Sequence, residues 1–378
     1  MRILIATVTA GAGHLQAAAA LDEAWRSLRP KDAVERLDVL EFTPKLYRKI
    51  YVDGYVQLVA HAPELWGLVF KKTDNPTLAR KLVRFRRALA HWTTTKFVRR
   101  LKHFKPDVVL CTHFLPVEIL GRVRADDKVK SGPRTVSIVT DFEAHALWME
   151  PAVDLYCVAA EETRTRLLAR EVPGQQVVVT GIPIAAKFSD KIEPAAVRWR
   201  LGLRDDLPVV LVLGGGFGMG PVAEIVRQLN KVNTPLQVLV VCGRNEALRR
   251  ELAAVDYRHP THVLGFVTNM HELMSVAAIV LTKPGGLTSS EALALGRPMF
   301  ILDPIPGQEA ANSDFLLEQG AAVKVNRVED LPFRLDKLLN SSKLTEMARA
   351  ARALGKPDAA RAVCRAVLAS VAAAESGG

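Results

Sequence analysis

Two glycine-rich turns, one near the start of the chain and one past its middle, constrain the fold more than any other feature. Residues 2–8 form an apolar run that leads into the turn Gly11–Gly13 and then into a helix-forming run. Residues 208–213 lead in the same way into the turn Gly214–Gly220 and a second helix-forming run. Strand and helix patterns continue to alternate after each turn. This alternation indicates parallel sheets, and the restart at residue 208 predicts two of them.

Further β-branched runs predict the other strands of an α/β fold, at residues 107–111, 135–140 and 177–180 in the first half and 237–242, 278–282 and 298–303 in the second. A length of 378 residues suffices for two to three domains. We therefore predict an N-terminal domain at residues 1–183, a C-terminal domain at residues 184–342 and a helical tail at residues 343–378. The passage Gly181–Ile184 is the predicted hinge.

The net charge of +11 is concentrated in one block, residues 45–105. This block holds 15 Lys and Arg against three acidic residues, whereas the rest of the chain is nearly neutral. From Leu78 to Trp92, apolar residues recur at helical spacing between cations, which is typical of an amphipathic helix. Two interpretations stay open: a core-packing helix with a solvated outer face, or a surface that meets anionic lipid.

Cysteine use and hydropathy indicate a protein of a reducing compartment. The four cysteines lie far apart and form no CxxC pair, which excludes a disulfide framework and a zinc-ribbon spacing. No apolar run approaches the roughly 20 residues that span a bilayer. The run Ile3–Val8 is too short for a signal peptide and fits a first strand. We expect a cytosolic protein that is soluble or, at most, attached to a membrane surface.

Imidazole and carboxylate side chains follow the predicted strands of the first half. His14 follows the first strand, His113 the second, and Asp141 and His145 the third. Ligands of open parallel sheets bind at the carboxyl ends of the strands, so these side chains predict a site. A helix that began at Asp141 would place Asp141 and His145 on one face, although His145 and Trp148 can equally serve domain packing. The spacing resembles no metal-ligand motif.

Glycine-rich turns follow the strands of the second half. The turn Gly214–Gly220 offers bare backbone N–H groups and a helix start, which together suit a phosphate. Similar turns follow the next three strands at residues 242–245, 283–291 and 306–309, and Glu291 can accept two hydrogen bonds from a ribose diol. Neither glycine loop has the GxGxxG spacing and no GxxxxGK[ST] occurs, so dinucleotide redox chemistry and P-loop hydrolysis lose support. The turns favour a nucleotide.

Six motifs carry a family resemblance. They are Gly11-Ala12-Gly13-His14, Thr140-Asp141-Phe142-x-x-His145-x-x-Trp148, Gly181-Ile182-Pro183-Ile184, Val241-Cys242-Gly243-Arg244-Asn245, Lys283-Pro284-Gly285-Gly286-x-Thr288-x-x-Glu291-Ala292 and Pro306-Gly307-Gln308-Glu309. In collinear order over residues 1–330, they resemble the bacterial diacylglycerol glycosyltransferases. That group includes monogalactosyl- and processive glucosyl-diacylglycerol synthases and is related to the peptidoglycan lipid glycosyltransferase.

The resemblance implies a GT-B fold, in which two Rossmann-like domains face each other across a cleft and helices follow at the C-terminus. It implies a sugar nucleotide on the C-terminal domain, an acceptor on the N-terminal domain, and inversion at the sugar without a bound metal. The expected reaction moves glucose or galactose from a UDP-sugar to the 3-hydroxyl of 1,2-diacylglycerol and needs no cofactor. The expected enzyme is cytoplasmic, docks through residues 45–105 on the anionic inner face of the cell membrane, and binds no nucleic acid.

With the resemblance, roles follow for residues at the predicted strand ends. His14 is the first candidate for the base that takes the acceptor proton, since an unperturbed imidazole titrates near physiological pH. Asp141 is the rival base, or the residue that orients the acceptor or a histidine. Gly13, His113 and His145 are expected in the acceptor site. Residues expected to bind the donor are Gly214, Gly215, Gly216, Gly218, Arg244, Phe266, Val267, Gly285, Gly286, Thr288, Glu291, Gln308 and Glu309.

Three other functions stay open from the sequence. An enzyme of the same architecture could move N-acetylglucosamine onto a lipid-linked or other acceptor, which assays of UDP release from different UDP-sugars would separate. A nucleic-acid-binding protein would use the basic block for salt-sensitive binding, but it leaves the glycine turns of the second half unexplained. A sugar-nucleotide-binding protein without turnover would not need both His14 and Asp141.

Overall fold

Two parallel β-sheets, each with six strands, organise the residues that the structure describes. The computed structural model describes residues 1–9, 11–75, 94–126, 132–214, 221–302 and 304–376. The chain divides into two compact units. Unit 1 comprises Met1–Ala186, Pro306–Gln308 and Asp358–Gly378, and unit 2 comprises Lys187–Ile305 and Glu309–Pro357.

Unit 1 has a strand–helix alternation in which parallel strands are joined by helical crossovers. Its strands are β1 (Arg2–Thr7), β2 (Ala33–Asp38), β3 (Val108–Cys111), β4 (Arg134–Ile138), β5 (Leu155–Val158) and β6 (Val177–Val179). Its helices before unit 2 begins are α1 (Ala12–Leu28), α2 (Lys45–His61), α3 (Pro63–Thr73), α4 (Thr95–Phe104), α5 (Phe114–Asp126) and α6 (Glu161–Ala169). Short 3₁₀ turns lie at Val39–Phe42, Ala146–Trp148, Gly174–Gln176 and Ala186–Phe188.

The strand order of the first sheet is β2-β1-β3-β4-β5-β6, and all neighbours run parallel. Its central strands are buried on both faces, which is why their sequences are continuous apolar runs and not alternating ones. The order reverses between β1 and β3, because β2 lies on one side of β1 and the later strands lie on the other. Such a reversal is the point at which open α/β sheets bind ligands.

Unit 2 repeats this architecture. Its strands are β7 (Val209–Leu213), β8 (Gln237–Val241), β9 (Thr261–Leu264), β10 (Ile279–Thr282), β11 (Met299–Leu302) and β12 (Ala322–Val325). Its helices are α7 (Pro194–Arg200), α8 (Val222–Leu229), α9 (Glu246–Ala253), α10 (Met270–Val276), α11 (Gly286–Ala294), α12 (Gln308–Glu318), α13 (Leu331–Leu339) and α14 (Lys343–Leu354), with a 3₁₀ turn at Val328–Asp330. The strand order is β12-β11-β10-β7-β8-β9, again parallel throughout, and it reverses between β7 and β10. The expectation of two parallel-sheet, Rossmann-like domains is confirmed.

The last helix, α15 (Ala359–Ser376), packs on the sheet of unit 1 and against α1. Val363 and Val367 join a buried cluster with Trp25 of α1 and with the inward side chains of β1 and β3. Arg134, at the start of β4, donates a 2.8 Å hydrogen bond from Nε to the Ser370 hydroxyl. The two helices of the predicted tail, residues 343–378, therefore belong to different units. Helix α14 packs against α11 of unit 2, whereas α15 covers one face of the first sheet.

Two further points concern the basic block. The amphipathic pattern from Leu78 to Trp92 lies outside the described residues, so the two interpretations of that stretch stay open. Helices α2, α3 and α4 account for most of the rest of residues 45–105. Among the described residues, no helix has both the length and the apolar character needed to cross a membrane.

Candidate active site

Both sheets carry predicted site residues at the point where their strand order reverses. In unit 1, His14 lies in the first turn of α1, after β1, and His113 lies between β3 and α5. In unit 2, Gly214 follows β7, and Gly285 and Gly286 follow β10. The carboxyl ends of neighbouring parallel strands lie at one edge of a sheet, so each unit gathers its set at the position where this class of sheet binds ligands.

Two threonines at strand ends orient the His14 ring. Its Nδ1 lies 2.9 Å from the Thr112 carbonyl oxygen and 3.0 Å from the Thr140 hydroxyl oxygen. A carbonyl oxygen can only accept, so Nδ1 carries the proton and donates it, which leaves the lone pair on Nε2. Thr112 Oγ1 also donates to the His14 carbonyl oxygen at 3.1 Å. The ring is therefore held in the tautomer that a general base requires.

The environment of His14 keeps it neutral. Burial lowers its pKa to about 4, although the hydrogen bond to the Thr112 carbonyl opposes the shift. At neutral pH the imidazole is therefore almost entirely unprotonated. His113 lies against it edge to face, with ring centroids 4.7 Å apart, and accepts the Leu115 N–H through Nδ1 at 3.0 Å. The structure thus brings His14 and His113 together.

The turn that begins α1 depends on Gly11. Its φ of 115° lies in the region that side chains other than glycine rarely adopt, and it caps the N-terminus of the helix. Gly13 lies in the first helical turn, where backbone N–H groups have no partner within the helix. Amides at such a helix start can bind an anionic or polar ligand. Gly13 is therefore close to His14, as expected, and its place in an acceptor site stays a prediction.

Residues 140–148 form a loop, and no α-helix starts within it. The interpretation of Asp141 as a helix start is therefore wrong. The chain bends at Asp141–Glu143 and forms only a 3₁₀ turn at Ala146–Trp148. The reason is local: the His145 side chain accepts the Leu147 N–H at 3.1 Å, so the helical turn starts after His145. Asp141 directly follows Thr140, which contacts His14.

His145 is directed away from His14 and toward α3. Because its Nδ1 accepts the Leu147 N–H, its Nε2 carries the proton, and that atom lies 2.9 Å from the Phe70 carbonyl oxygen. Main-chain groups therefore occupy both ring nitrogens, and burial lowers the pKa of the ring. This geometry matches the packing role considered for His145, and its assignment to the acceptor site remains untested.

In unit 2, the turn after β7 is described only at its start. Gly214 is buried at the end of the strand, and its N–H donates to the Val241 carbonyl oxygen. The other predicted phosphate ligands of this turn, Gly215, Gly216 and Gly218, lie outside the described residues. Helix α8 then begins at Val222. The expected phosphate cradle stays a prediction.

Arg244 and Phe266 meet at the same edge of the second sheet, after β8 and β9. The Arg244 guanidinium carbon lies 5.3 Å from the centroid of the Phe266 ring, a cation–π contact. Phe266 is 63% exposed, so a ligand can reach this side chain. Val267 follows in the same loop. The sequence predicted these residues separately, and the structure places the two side chains together.

Helix α11 presents a group of donor-site candidates. Gly285 caps its N-terminus, and Gly286, Thr288 and Glu291 lie in its first two turns. A Cβ added at Gly285 would lie 4.0 Å from Oε1 of Glu309, so that carboxylate is close to the start of α11. Glu309 also accepts the Ile305 N–H through Oε2 at 2.8 Å, and Gln308 begins α12.

Glu291 is the most strongly perturbed carboxyl of unit 2 among the described residues. Burial raises its pKa to about 8, and the positive charge of Lys187 opposes the shift. Lys187 donates from Nζ to the Thr268 carbonyl oxygen at 2.6 Å. Lys187 was not predicted from the sequence, because a single lysine after a predicted hinge carries no signal of a role. It also did not predict that Thr112 and Thr140 contact His14, although Thr112 follows one predicted strand and Thr140 ends another.

The described residues contain no cluster of three His, Cys, Asp or Glu side chains that could hold a metal ion. The expectation of a metal-independent reaction is untested and stays a prediction.

Comparison with known proteins gives matches over nearly the whole chain. A family model described as monogalactosyldiacylglycerol (MGDG) synthase matches residues 14–184, and one described as glycosyltransferase family 28 C-terminal domain matches residues 209–363. A processive diacylglycerol β-glucosyltransferase from Bacillus cereus (strain AH820) is 31% identical over 383 residues, which cover 97% of this chain and 93% of the relative. The protein of that name from Bacillus mycoides (strain KBAB4) is 30% identical, with the same coverage.

Solved structures show the same fold at lower identity. MurG of Acinetobacter baumannii superposes with a TM-score of 0.62 at 20% identity, covering 96% of this chain and 97% of MurG. HepE of Anabaena, in complex with UDP-glucose, superposes with a TM-score of 0.54 at 12% identity and full coverage of both chains.

The two Rossmann-like sheets and the matching family models define a glycosyltransferase with a GT-B-like fold. Within that class, the chain belongs to the diacylglycerol glycosyltransferase family, as its similarity to the Bacillus enzymes over almost its full length shows. The family resemblance expected from the six sequence motifs is thereby confirmed.

Proposed function

We propose that the protein transfers glucose or galactose from a UDP-sugar to the 3-hydroxyl of 1,2-diacylglycerol, with inversion at the anomeric carbon. The observation that carries this proposal is the His14 arrangement, in which Nδ1 donates to the Thr112 carbonyl and Nε2 keeps its lone pair. Membership of the diacylglycerol glycosyltransferase family supports the acceptor. The UDP-glucose complex of HepE, which shares the fold, supports a UDP-sugar as donor.

In the proposed step, Nε2 of His14 takes the proton of the acceptor hydroxyl as its oxygen attacks the anomeric carbon. The new bond joins the glycerol oxygen to that carbon, and the bond between the carbon and the UDP oxygen breaks on the opposite face. The electron pair leaves with UDP, and the proton passes from His14 to solvent. We assign orientation of the acceptor to Asp141, which directly follows the His14 contact residue Thr140.

UDP departs with additional negative charge on its diphosphate. Backbone N–H groups at the start of α11 and in the turn after β7 would compensate this charge, because helix N-termini carry partial positive charge. The Glu291 carboxylate would accept the ribose diol. Arg244, Phe266 and Val267 would border the nucleobase, and Gln308 and Glu309 would contact the hexose hydroxyls. On this proposal the reaction uses no bound metal.

Helices α2 and α3 supply a surface suited to a membrane. Among the side chains of these helices that the structure describes, four apolar ones are at least half exposed, namely Leu46, Ile50, Leu65 and Leu68. Exposed cations flank them, namely Lys45, Arg48, Lys49, Lys71 and Lys72. Apolar side chains beside cations favour an interface with anionic lipid, where each nearby Lys or Arg adds about 1 kcal/mol. We propose that this surface docks the enzyme peripherally on the inner face of the cell membrane.

The test is transfer itself. Purified protein is incubated with radiolabelled UDP-glucose, UDP-galactose or UDP-N-acetylglucosamine and with phosphatidylglycerol vesicles that contain diacylglycerol, and the lipids are then separated by chromatography. We expect a labelled glycolipid from one of the two hexoses, with the β-anomeric configuration that inversion of an α-linked donor produces. Labelled lipid from UDP-N-acetylglucosamine alone, or no labelled lipid, would overturn the proposal.

Substitutions of His14 and Glu291 should separate chemistry from donor binding. His14→Ala removes the proton acceptor, so we expect kcat to fall by about 10²- to 10⁴-fold with UDP affinity retained. Glu291→Ala should mainly raise the Kd for UDP and the KM for the UDP-sugar. Calorimetry with UDP and initial rates on diacylglycerol vesicles measure the two effects. Equal loss of kcat in both variants with unchanged UDP affinity would contradict this division.

A further inference from the structure

A partly buried ionic cluster joins the end of α3 to the loop 140–148. Asp74, the residue after α3, accepts hydrogen bonds from Arg170 at 2.7 and 2.9 Å and from Arg166 at 2.6 Å. Its Oδ1 also accepts the backbone N–H of Ala146 at 2.8 Å. Arg166 in turn contacts Glu143 of the loop.

Asp74 is held ionised within this cluster. Burial opposes ionisation, but hydrogen bonds from Arg170 and from the Ala146 amide outweigh it and lower the pKa of the carboxyl. Hydrogen bonds between ionised partners are short and strong, and removal of one partner from a part-buried pair leaves the other charge uncompensated. Asp74 is thus the group on which both arginines and the loop amide converge.

Several contacts hold the loop 140–148. In its middle, the Thr163 hydroxyl of α6 donates to the Phe142 carbonyl oxygen at 2.6 Å. At its first residue, the Thr140 hydroxyl lies 3.0 Å from Nδ1 of His14. Near its end, His145 donates to the Phe70 carbonyl of α3, and Ala146 donates to Asp74. The same short segment therefore contacts the proposed base on one side and the end of α3 on the other.

Helix α3 is also half of the proposed membrane surface, through Leu65 and Leu68 on its exposed side. Its end carries the Phe70 carbonyl and Asp74 that hold the loop. A shift or ordering of α3 on a bilayer would therefore reach Asp141 and Thr140 through one set of hydrogen bonds.

We propose that Asp74 is a positioning residue that couples docking of α3 on a lipid surface to the placement of the loop 140–148 beside His14. This inference rests on the proposed function, in which α2 and α3 meet the membrane and His14 accepts the proton. Asp74 itself touches no reacting atom. Its effect on catalysis passes through the amide of Ala146 and through the arginines that contact Glu143.

The test compares wild type with Asp74→Asn by hydrogen–deuterium exchange of the full-length protein, with and without phosphatidylglycerol vesicles that contain diacylglycerol. In wild type, we expect vesicles to slow exchange in both α3 and the loop 140–148. In Asp74→Asn, vesicles should slow exchange in α3 but no longer in the loop. Turnover on vesicles should fall by roughly 10- to 100-fold, the order expected for a misplaced catalytic group, with UDP affinity unchanged.

Two further variants guard against a simple folding defect. Glu161→Gln, on the same helix as Arg166, breaks only an exposed pair with Arg164 and should behave as wild type. Arg170→Lys keeps the charge but loses the two-pronged bond to Asp74, so it should give an intermediate loss of the vesicle effect on the loop. Its result decides the question if Asp74→Asn fails to fold.

The outcomes separate this inference from the proposed function. If vesicles protect neither α3 nor the loop in wild type, docking through α3 is wrong, and the coupling role of Asp74 is then wrong as well. If vesicles protect α3 in wild type but leave the loop unchanged, docking stands and the coupling is refuted. Equal protection of the loop in wild type and Asp74→Asn also refutes it.

Discussion

The protonation state of His14 sets the acid limit of the proposed reaction. Burial lowers its pKa to about 4, so the neutral base persists well below the value of a free imidazole. Activity that needs neutral His14 is present above this pKa and is lost as the pH falls through it. We therefore expect kcat, measured at saturating UDP-sugar, to stay level from pH 8 to about 5 and to fall only near pH 4.

The lowered pKa of His14 also affects the stability of the fold. Loss of activity by titration of His14 must therefore be distinguished from loss by unfolding. A folded pKa below the unfolded value means that the unfolded chain binds the proton more tightly, so stability decreases as the pH falls from about 6.5 toward 4. Brief acid exposure followed by assay at pH 7 distinguishes reversible titration from unfolding. A reversible acid limb centred near pH 6.5 would contradict the assignment of His14, partly buried and neutral, as the base.

Glu291 predicts a second pH effect, on donor binding and at higher pH. Its pKa of about 8 means that it is mostly protonated at pH 7, whereas acceptance of both ribose hydroxyls needs the carboxylate. Affinity for UDP should therefore rise by about tenfold between pH 7 and 9, because about a tenth of the molecules are ionised at pH 7. Calorimetry at several pH values measures this slope.

The control for that slope is Glu291→Gln, which keeps the side-chain shape and removes the titration. Its UDP affinity should be weaker than that of wild type at pH 9 and nearly independent of pH in this range. If both proteins show the same slope, the titrating group is another one, and the ribose assignment of Glu291 loses its support.

At the scale of elements, the exposed faces of α2 and α3 predict where vesicle binding resides. Leu65→Glu with Leu68→Glu places two carboxylates on the apolar face of α3, where they would meet anionic lipid and be desolvated. We expect this double variant to lose most co-sedimentation with phosphatidylglycerol vesicles. UDP affinity should be unchanged.

Phe333→Glu is the control, since Phe333 is an even more exposed apolar residue of a helix, α13, in unit 2. It should sediment as wild type does. Raising the salt concentration should weaken binding of wild type, because charges at the surface are screened. Loss of binding in Phe333→Glu to the same degree as in the α3 variant would point to a general solubility effect and count against α3 as the docking element.

The sequence predicts central strands better than edge strands, for a physical reason. The run Val209–Leu213 is buried on both faces, so its apolar character is continuous and easy to recognise. Strand β2, by contrast, is an edge strand whose sequence includes Glu35 and Arg36, and Glu35 forms an ion pair with Arg100. Strand β5 is buried, but its four residues are too few for a periodic pattern.

Some contacts of the candidate site can be predicted from the sequence, because they follow from strand order, and others cannot. His14 and His113 are adjacent because parallel strands β1 and β3 are neighbours, and strand order of this kind is a property of the fold class. The position of His145 depends on α3, which packs against the loop from elsewhere in the chain. Local spacing contains no information about that contact, and a 3₁₀ turn capped by the His145 side chain cannot be distinguished from a helix start by periodicity.

At the scale of the whole molecule, the chain end belongs to the unit that contains the chain start. Helix α15 covers apolar side chains of α1, β1 and β3, so the first sheet is completed only by the last 20 or so residues. Composition identified these residues as helical, but the surface that receives them is distant in sequence. The stability of unit 1 should consequently depend on residues that lie beyond unit 2 in the chain.

Val363→Asp tests this dependence. Val363 is fully buried beside Trp25, and an unpaired carboxylate at that position costs roughly 3 kcal/mol or more. The slowest amides of β1 and β3 should therefore exchange with solvent about two orders of magnitude faster, whereas those of β7 and β10 keep their rates. Ala373→Asp, on the exposed side of the same helix, should leave both sheets unchanged. Acceleration in β7 and β10 as large as that in β1 and β3 would mean that α15 stabilises the whole chain and not the first sheet in particular.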